Sequence, residues 1–140
     1  MISPNDDKLA IKAILDTDSY IQEAGFLAKN IKTTKYGTDT LNSSDNDLQI
    51  FIYNGTPINT NSWIIKGVVF NVVVVGKRAQ SRLIDSVVHQ VIALLTNRNI
   101  GRGNILYLND PPIELDSDPA IYSVETSFVC YETIYNSKKY

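Results

Sequence analysis

Val68-Val69-Phe70-Asn71-Val72-Val73-Val74-Val75 runs into Gly76-Lys77-Arg78-Ala79-Gln80 and then into Ser81-Arg82-Leu83-Ile84-Asp85-Ser86-Val87-Val88-His89-Gln90-Val91-Ile92-Ala93-Leu94-Leu95. The first part is β-branched and apolar on both alternating sets of residues, which describes a strand whose second half is covered on both faces. The third part repeats apolar residues at the 3.6-residue period: Leu83, Ile84, Val87, Val88, Val91, Ile92, Leu94 and Leu95. Arg82, Asp85, Ser86, His89 and Gln90 take the opposite side. Gly76-Lys77-Arg78 stops the strand, and Ser81 is the candidate cap of the helix. Strand and helix are expected to pack together as the centre of the core, because a helix this rich in valine depends on tertiary packing rather than on propensity.

Upstream, Leu48 to Tyr53 reads as a strand, and Asn54-Gly55-Thr56-Pro57 with Asn59-Thr60-Asn61-Ser62 makes a wide turn into the strand Trp63 to Val75. The chain begins with Ser3-Pro4 before Asp6 and Asp7, an N-cap, a first-turn proline and acids at the positive end of a helix dipole. Leu9, Ile11, Ile14 and Leu15 form the stripe of that helix, and Asp16-Thr17-Asp18 offers a break or a second cap. Tyr20, Ile21, Phe26 and Leu27 suit a further helical turn or two. Residues 37 to 47 are turn formers with Leu41 as their one apolar side chain, so a mobile loop that a partner orders is expected there.

Downstream, Asn97, Asn99 and Gly101 tolerate left-handed backbone at the helix end. Ile105 to Leu108 reads as a short strand, Asn109-Asp110-Pro111-Pro112 breaks it, and an extended connection to Pro119 leads to the last strand, Ala120 to Ile134. In that strand Tyr122, Val124, Phe128 and Cys130 share one face, Tyr131 takes the other, and a frayed tail follows. The reading is one α+β domain spanning 1–140, with an antiparallel or mixed sheet of about four strands and helices packed on it.

Composition bounds the function. The 140 residues hold 13 Lys+Arg against 15 Asp+Glu, a formal charge of −2 with pI near 5.3, without the basic excess of a non-specific phosphate binder. One cysteine, Cys130, supplies neither an internal disulfide nor a Cys-based zinc site. The start has no basic n-region with an apolar run behind it, so a soluble, non-secreted protein is expected.

Chemistry-bearing motifs are few. His89 has Asp85 one turn before it, a spacing that would orient an imidazole for acid–base work, but such polar pairs are ordinary on a solvated helix face and no nucleophile accompanies them. Gly76-Lys77-Arg78 has Asn71 where a phosphate loop needs glycine and Arg78 where it needs Ser or Thr, and Gly101-Arg102-Gly103 lacks the third glycine of a dinucleotide fingerprint. Asp110, Glu114, Asp116 and Asp118 lack calcium-loop spacing and read as a solvated loop. Asn42-Ser43-Ser44 and Asn54-Gly55-Thr56 match the glycosylation sequon but read as turns. No catalytic residue, metal ligand or cofactor is expected. Eight tyrosines with Trp63 at a strand start favour protein contacts.

The order of a short capped N-terminal helix with Asp18 and Tyr20-Ile21 behind it, a loop, a hairpin ending Val72-Val73-Val74-Val75, the Ser81-to-Leu95 helix and a closing strand resembles the tail terminator or tail-completion proteins of long-tailed bacteriophages. The resemblance implies a non-enzymatic subunit of a ring, usually a hexamer, that caps the tail tube, ends its polymerisation and presents a surface to a head-completion or neck protein. It implies a place in the virion tail or neck after assembly in the host cytoplasm, no membrane partner, and a lumen through which DNA slides without sequence-specific binding. Candidate interaction residues are Thr38, Asp39, Leu41, Asn54, Gly55, Trp63, Lys77 and Arg78. A head-completion or adaptor protein of the virion neck remains an alternative. So does a small-molecule-binding or enzymatic α+β domain, which predicts a pocket of convergent polar groups around His89 and Asp85.

Overall fold

The computed structural model describes residues 4–37, 48–60, 65–100, 103–108, 111–115 and 119–133. Helix α1 (Pro4–Asp16) begins on the proline, whose fixed φ suits a first turn. Thr17 Oγ1 donates to the Ala13 carbonyl at 2.7 Å as the helix closes. Asp18 then caps α2 (Ser19–Glu23), its carboxylate accepting the Ile21 N–H at 3.1 Å. Gly25 turns the chain at φ +107, and a 3₁₀ turn (Ala28–Asn30) follows, so the second helical segment is shorter than the Tyr20-to-Leu27 pattern suggests.

Among the described residues seven strands form one mixed sheet: β1 (Ile31–Lys32), β2 (Gln49–Asn54), β3 (Ile58–Asn59), β4 (Ile65–Lys77), β5 (Leu106–Tyr107), β6 (Ile113–Glu114) and β7 (Ile121–Thr133). The spatial order is β1-β2-β4-β7-β5, with β3 on β4 and β6 on β7, and the β1–β2 pair is parallel while all others are antiparallel. The α+β class is as expected. The count of about four strands is corrected to seven among the described residues, since the three added strands, β1, β3 and β6, have two residues each, too few to show a period of two. One of them, β6, lies in what reads as a plain connection to Pro119.

Helix α3 (Ser81–Leu95) has its expected bounds, but Ser81 is not its cap. Its backbone is already helical at φ −56 and ψ −38, and a 3₁₀ turn (Arg78–Gln80) leads into it, held by the Lys77 N–H donating to Gln80 Oε1 at 3.1 Å. Asn97 ends the helix in left-handed backbone at φ 66.

The three helices cover one face of the sheet. Ile11, Leu15 and Ile21 join Ile84, Val87, Val91 and Leu95 over Ile50, Ile52, Phe70, Val72, Val74, Val124, Phe128 and Cys130. All four valines of Val72–Val75 are fully buried, as the double apolar run requires. Only Val72 and Val74 meet the helices. Val73 and Val75 point the other way and form a second cluster with Phe51, flanked by Tyr36, Tyr53 and Ile121, because successive strand residues alternate faces. The expected strand–helix core is therefore half of the Val72–Val75 run.

Candidate functional site

Three features offer recognition chemistry. The first lies on the helix-free face. Its register sets Tyr53 beside Asn71 and Asn71 beside Ser127, with Val73 opposite Glu125. Tyr53 donates its phenol to Glu125 Oε2 at 2.8 Å, and Ser127 Oγ donates to Asn71 Oδ1 at 2.7 Å. Burial first, and then the Glu125 carboxylate, push the Tyr53 phenol well above its usual value. Tyr53, Asn71 and Glu125 line, with Lys35, Asn54, Gly55 and Thr56, a shallow cavity of about 500 Å³. Gly55 is needed there: its N–H donates to the Val69 carbonyl at 2.9 Å, and a Cβ would stand 2.8 Å from Val69 Cγ1.

The second feature is a cleft of about 290 Å³ on the helix side, lined by Asp85, Val88, His89, Pro112, Glu114, Tyr122 and Val124. Convergent polar groups around His89 and Asp85 are what the enzymatic alternative predicts. Their bonds turn inward, however. Tyr122 donates to Asp85 Oδ1 at 2.7 Å, and Arg78 Nη1 meets Glu114 Oε1 at 2.8 Å while its guanidinium lies 5.1 Å from the Tyr122 ring centre. Burial first, then the Asp85 hydrogen bond and charge, raise the Tyr122 pKa to about 12. The cluster acts as a clasp holding β6 and the start of β7 to α3. Among the described residues no three His, Cys, Asp or Glu side chains converge as metal ligands, and no helix is long and apolar enough to cross a membrane.

The third feature is the edge made by β5 and β6. Leu106 and Ile113 are in register with Val129 and Glu125 of the helix-free face, and the Leu108 and Leu115 amides continue the ladder to Ser127 and Ser123. Leu106, Leu108, Ile113 and Leu115 are each 40–49% exposed, a row of half-bare aliphatic side chains along one sheet edge.

Asn54 and Gly55 lie at one end of β2, lining the first cavity. Lys77 and Arg78 lie at the other end of the sheet. Asn54 pairs with Phe70, seven residues before Lys77, a separation of roughly 23 Å along a strand. Lys77 is exposed. Arg78 is engaged internally with Glu114 and with the Pro119 and Ile121 carbonyls. Thr38, Asp39, Leu41 and Trp63 lie outside the described residues, as does the loop from 38 to 47. Sequence reading misses Tyr53, Asn71, Glu125 and Ser127. The alternation Ser123, Glu125, Ser127 marks a polar face of β7, but only the cross-strand register unites it with Tyr53 and Asn71.

Comparison with known proteins yields no matching family model and no matching curated protein. Among solved structures the chain is similar to one described as "Virion of native gene transfer agent (GTA) particle", at 10% identity, with a TM-score of 0.62 over 89% of this chain and 92% of that one. At that identity the likeness is one of fold: the same arrangement of helices and sheet over nearly the whole of both chains.

Proposed function

We propose that this chain is a structural virion protein of a tailed, phage-like particle. Its more specific role is that of a ring subunit, hexameric by the resemblance noted from sequence, that caps the tail tube, ends its polymerisation and offers the surface that a neck protein joins. The observation that carries the reading is the near-complete overlap of fold with a chain from a gene transfer agent virion. The sheet adds physical support, because a ring protomer needs a rigid core on one side and recognition surface on the other, and among the described residues only one face of this sheet is covered by helices.

A small-molecule or catalytic role finds its best footing in the cleft beside His89. The carboxylates there are already bonded to Tyr122 and Arg78, which favours the structural reading. The test is electron microscopy of particles assembled without this protein. Tails of uncontrolled length that fail to join heads are expected; normal particles would overturn the proposal. Empty-necked heads with tails of normal length would instead favour the head-completion alternative.

A further inference from the structure

We propose that Asn54 is a deamidation site guarded by the fold, unreactive while the end of β2 stays paired and reactive when that end opens. This holds whatever the chain's role in a particle. Asn54 is the chain's only asparagine followed by glycine, and it is exposed as the last residue of β2. A glycine there leaves the next amide nitrogen unshielded by a side chain.

The reaction needs nothing but water. The Gly55 nitrogen gives its proton to solvent base and bonds Asn54 Cγ; the Cγ–Nδ2 bond breaks, and ammonia leaves behind a cyclic imide. Water then opens the ring at one carbonyl or the other. The products are aspartate and isoaspartate, with no change of oxidation state.

Pairing at the strand end opposes each part of that step. The nucleophile and the leaving group are tied to one acceptor: the Gly55 N–H donates to the Val69 carbonyl at 2.9 Å, and Asn54 Nδ2 donates to the same oxygen at 3.5 Å. In register with Phe70, Asn54 is also held extended, whereas the imide demands that its Cγ swing onto the following nitrogen. Both restraints act at a strand terminus, where pairing opens at lower free energy than in the core. The glycine itself is fixed by packing, because a Cβ would stand 2.8 Å from Val69 Cγ1 and 3.0 Å from Asn71 Nδ2. The close approach that requires glycine thus builds in the labile pair.

The change falls on the helix-free face. Asn54 lines the polar cavity with Lys35, Tyr53 and Glu125, so either product adds a carboxylate to a cavity that holds one already. Isoaspartate also inserts a methylene into the main chain, and the Gly55–Val69 bond and the Asn54–Phe70 register cannot both survive it.

Peptide mapping by mass spectrometry tests this. The whole chain is incubated at mildly alkaline pH, folded in one arm and unfolded in guanidinium chloride in the other, and isoaspartate is assigned residue by residue. Asn54 is expected to lead in the unfolded arm and to react about tenfold or more slowly in the folded one. Equal rates in the two arms would overturn the guarding role of the fold, and a different asparagine leading in the unfolded arm would overturn the site. Asn54→Gln should melt as wild type does and remove the signal from both arms; the unfolded arm tests the assignment whether or not that variant folds. Native-state hydrogen exchange of the Gly55 amide checks the cause. Its protection is expected to match the slowing of the reaction, and an unprotected Gly55 amide beside a slow Asn54 would overturn the part given to the Val69 carbonyl.

Discussion

The two faces of the sheet are built to different standards. Under the helices, Phe70 and Phe128 are fully buried and surrounded by aliphatic residues from three helices and three long strands. Thr126, buried on that side, donates its hydroxyl to the Val72 carbonyl at 3.1 Å. The opposite face has a three-residue cluster of Phe51, Val73 and Val75, a polar row from Tyr53 to Ser127, and half-exposed leucines at its rim. Packing holds the first face in one arrangement. The second is part core and part surface, a composition suited to meeting another protein without needing it to fold.

The comparison predicts unequal costs. Phe70→Ala opens a cavity between β4 and the helices and should lose about 3–5 kcal/mol, a large share of the 5–15 kcal/mol that holds a typical domain. Val73→Ala, equally inaccessible but in the small cluster, should lose about 2 kcal/mol. Urea unfolding measures both. Equal losses would show that the outer cluster contributes to the fold as much as the helix-covered core does.

Glycines sharpen the same contrast. Gly76, in register with Tyr122, faces the helices, where a Cβ would stand 2.7 Å from Leu48 Cδ2 and 3.0 Å from Ile84 Cδ1. Gly67, in register with Tyr131, has its nearest contacts on the outer side at 3.0 Å from Ile58 and Val129. Both contacts need their neighbours to yield. Gly76→Ala should cost about 1–3 kcal/mol as overpacking, and Gly67→Ala less, because two of its three near neighbours, Ile58 and Tyr131, are partly exposed and can give. Thermal melting of the two variants orders them, and the reverse order would place the rigid packing on the wrong side.

The sequence foretells the helix-covered face better than the other for a reason visible in these residues. Leu83 to Leu95 repeats for four turns and Val68 to Val75 shows two buried sets, so each pattern is long enough to declare its period. β1, β3 and β6 have two residues each. They are strands because β2, β4 and β7 lie beside them, and pairing of that kind leaves no local trace. The outer polar row fails for a related reason: Tyr53, Asn71 and Ser127 come from three strands, and nothing within one strand reveals its partners' register. Ser81 looks like a cap because Ser usually is one, yet the turn at Arg78–Gln80 places the helix start one residue earlier.

Alkaline pH probes both faces together. Tyr122 on the helix side and Tyr53 on the outer side both hold their protons more tightly folded than unfolded. For a group whose folded pKa is raised, stability is complete below the unfolded value and is lost as pH rises through the folded one. Tyr122 therefore costs stability as pH climbs from about 10, the ordinary tyrosine value, toward about 12. Tyr122→Phe should flatten that decline in part, and Tyr53→Phe should remove a further portion. Melting temperature against pH from 8 to 12 reads the effect; unchanged slopes in both variants would mean that neither hydroxyl is held as the structure describes.

The smallest effect belongs to His89, and it tests whether recognition resides on the free face and edges at all. His89 is exposed on α3, at the wall of the cleft where Asp85 accepts from Tyr122. No hydrogen bond or ion pair joins it to the described residues, and Ala is the better helix former. His89→Ala should therefore change stability by no more than about 0.5 kcal/mol, and particle assembly and infectivity should stay near wild type. The paired control is Ile113→Asp with Leu115→Asp, which should leave melting equally unmoved while abolishing assembly. A well-folded His89→Ala protein that fails to yield infectious particles would reverse the comparison. Function would then lie in the cleft on the helix side, the polar groups of Asp85, Glu114 and Tyr122 would have to be read as a binding site rather than a clasp, and the free face would be left as ordinary surface.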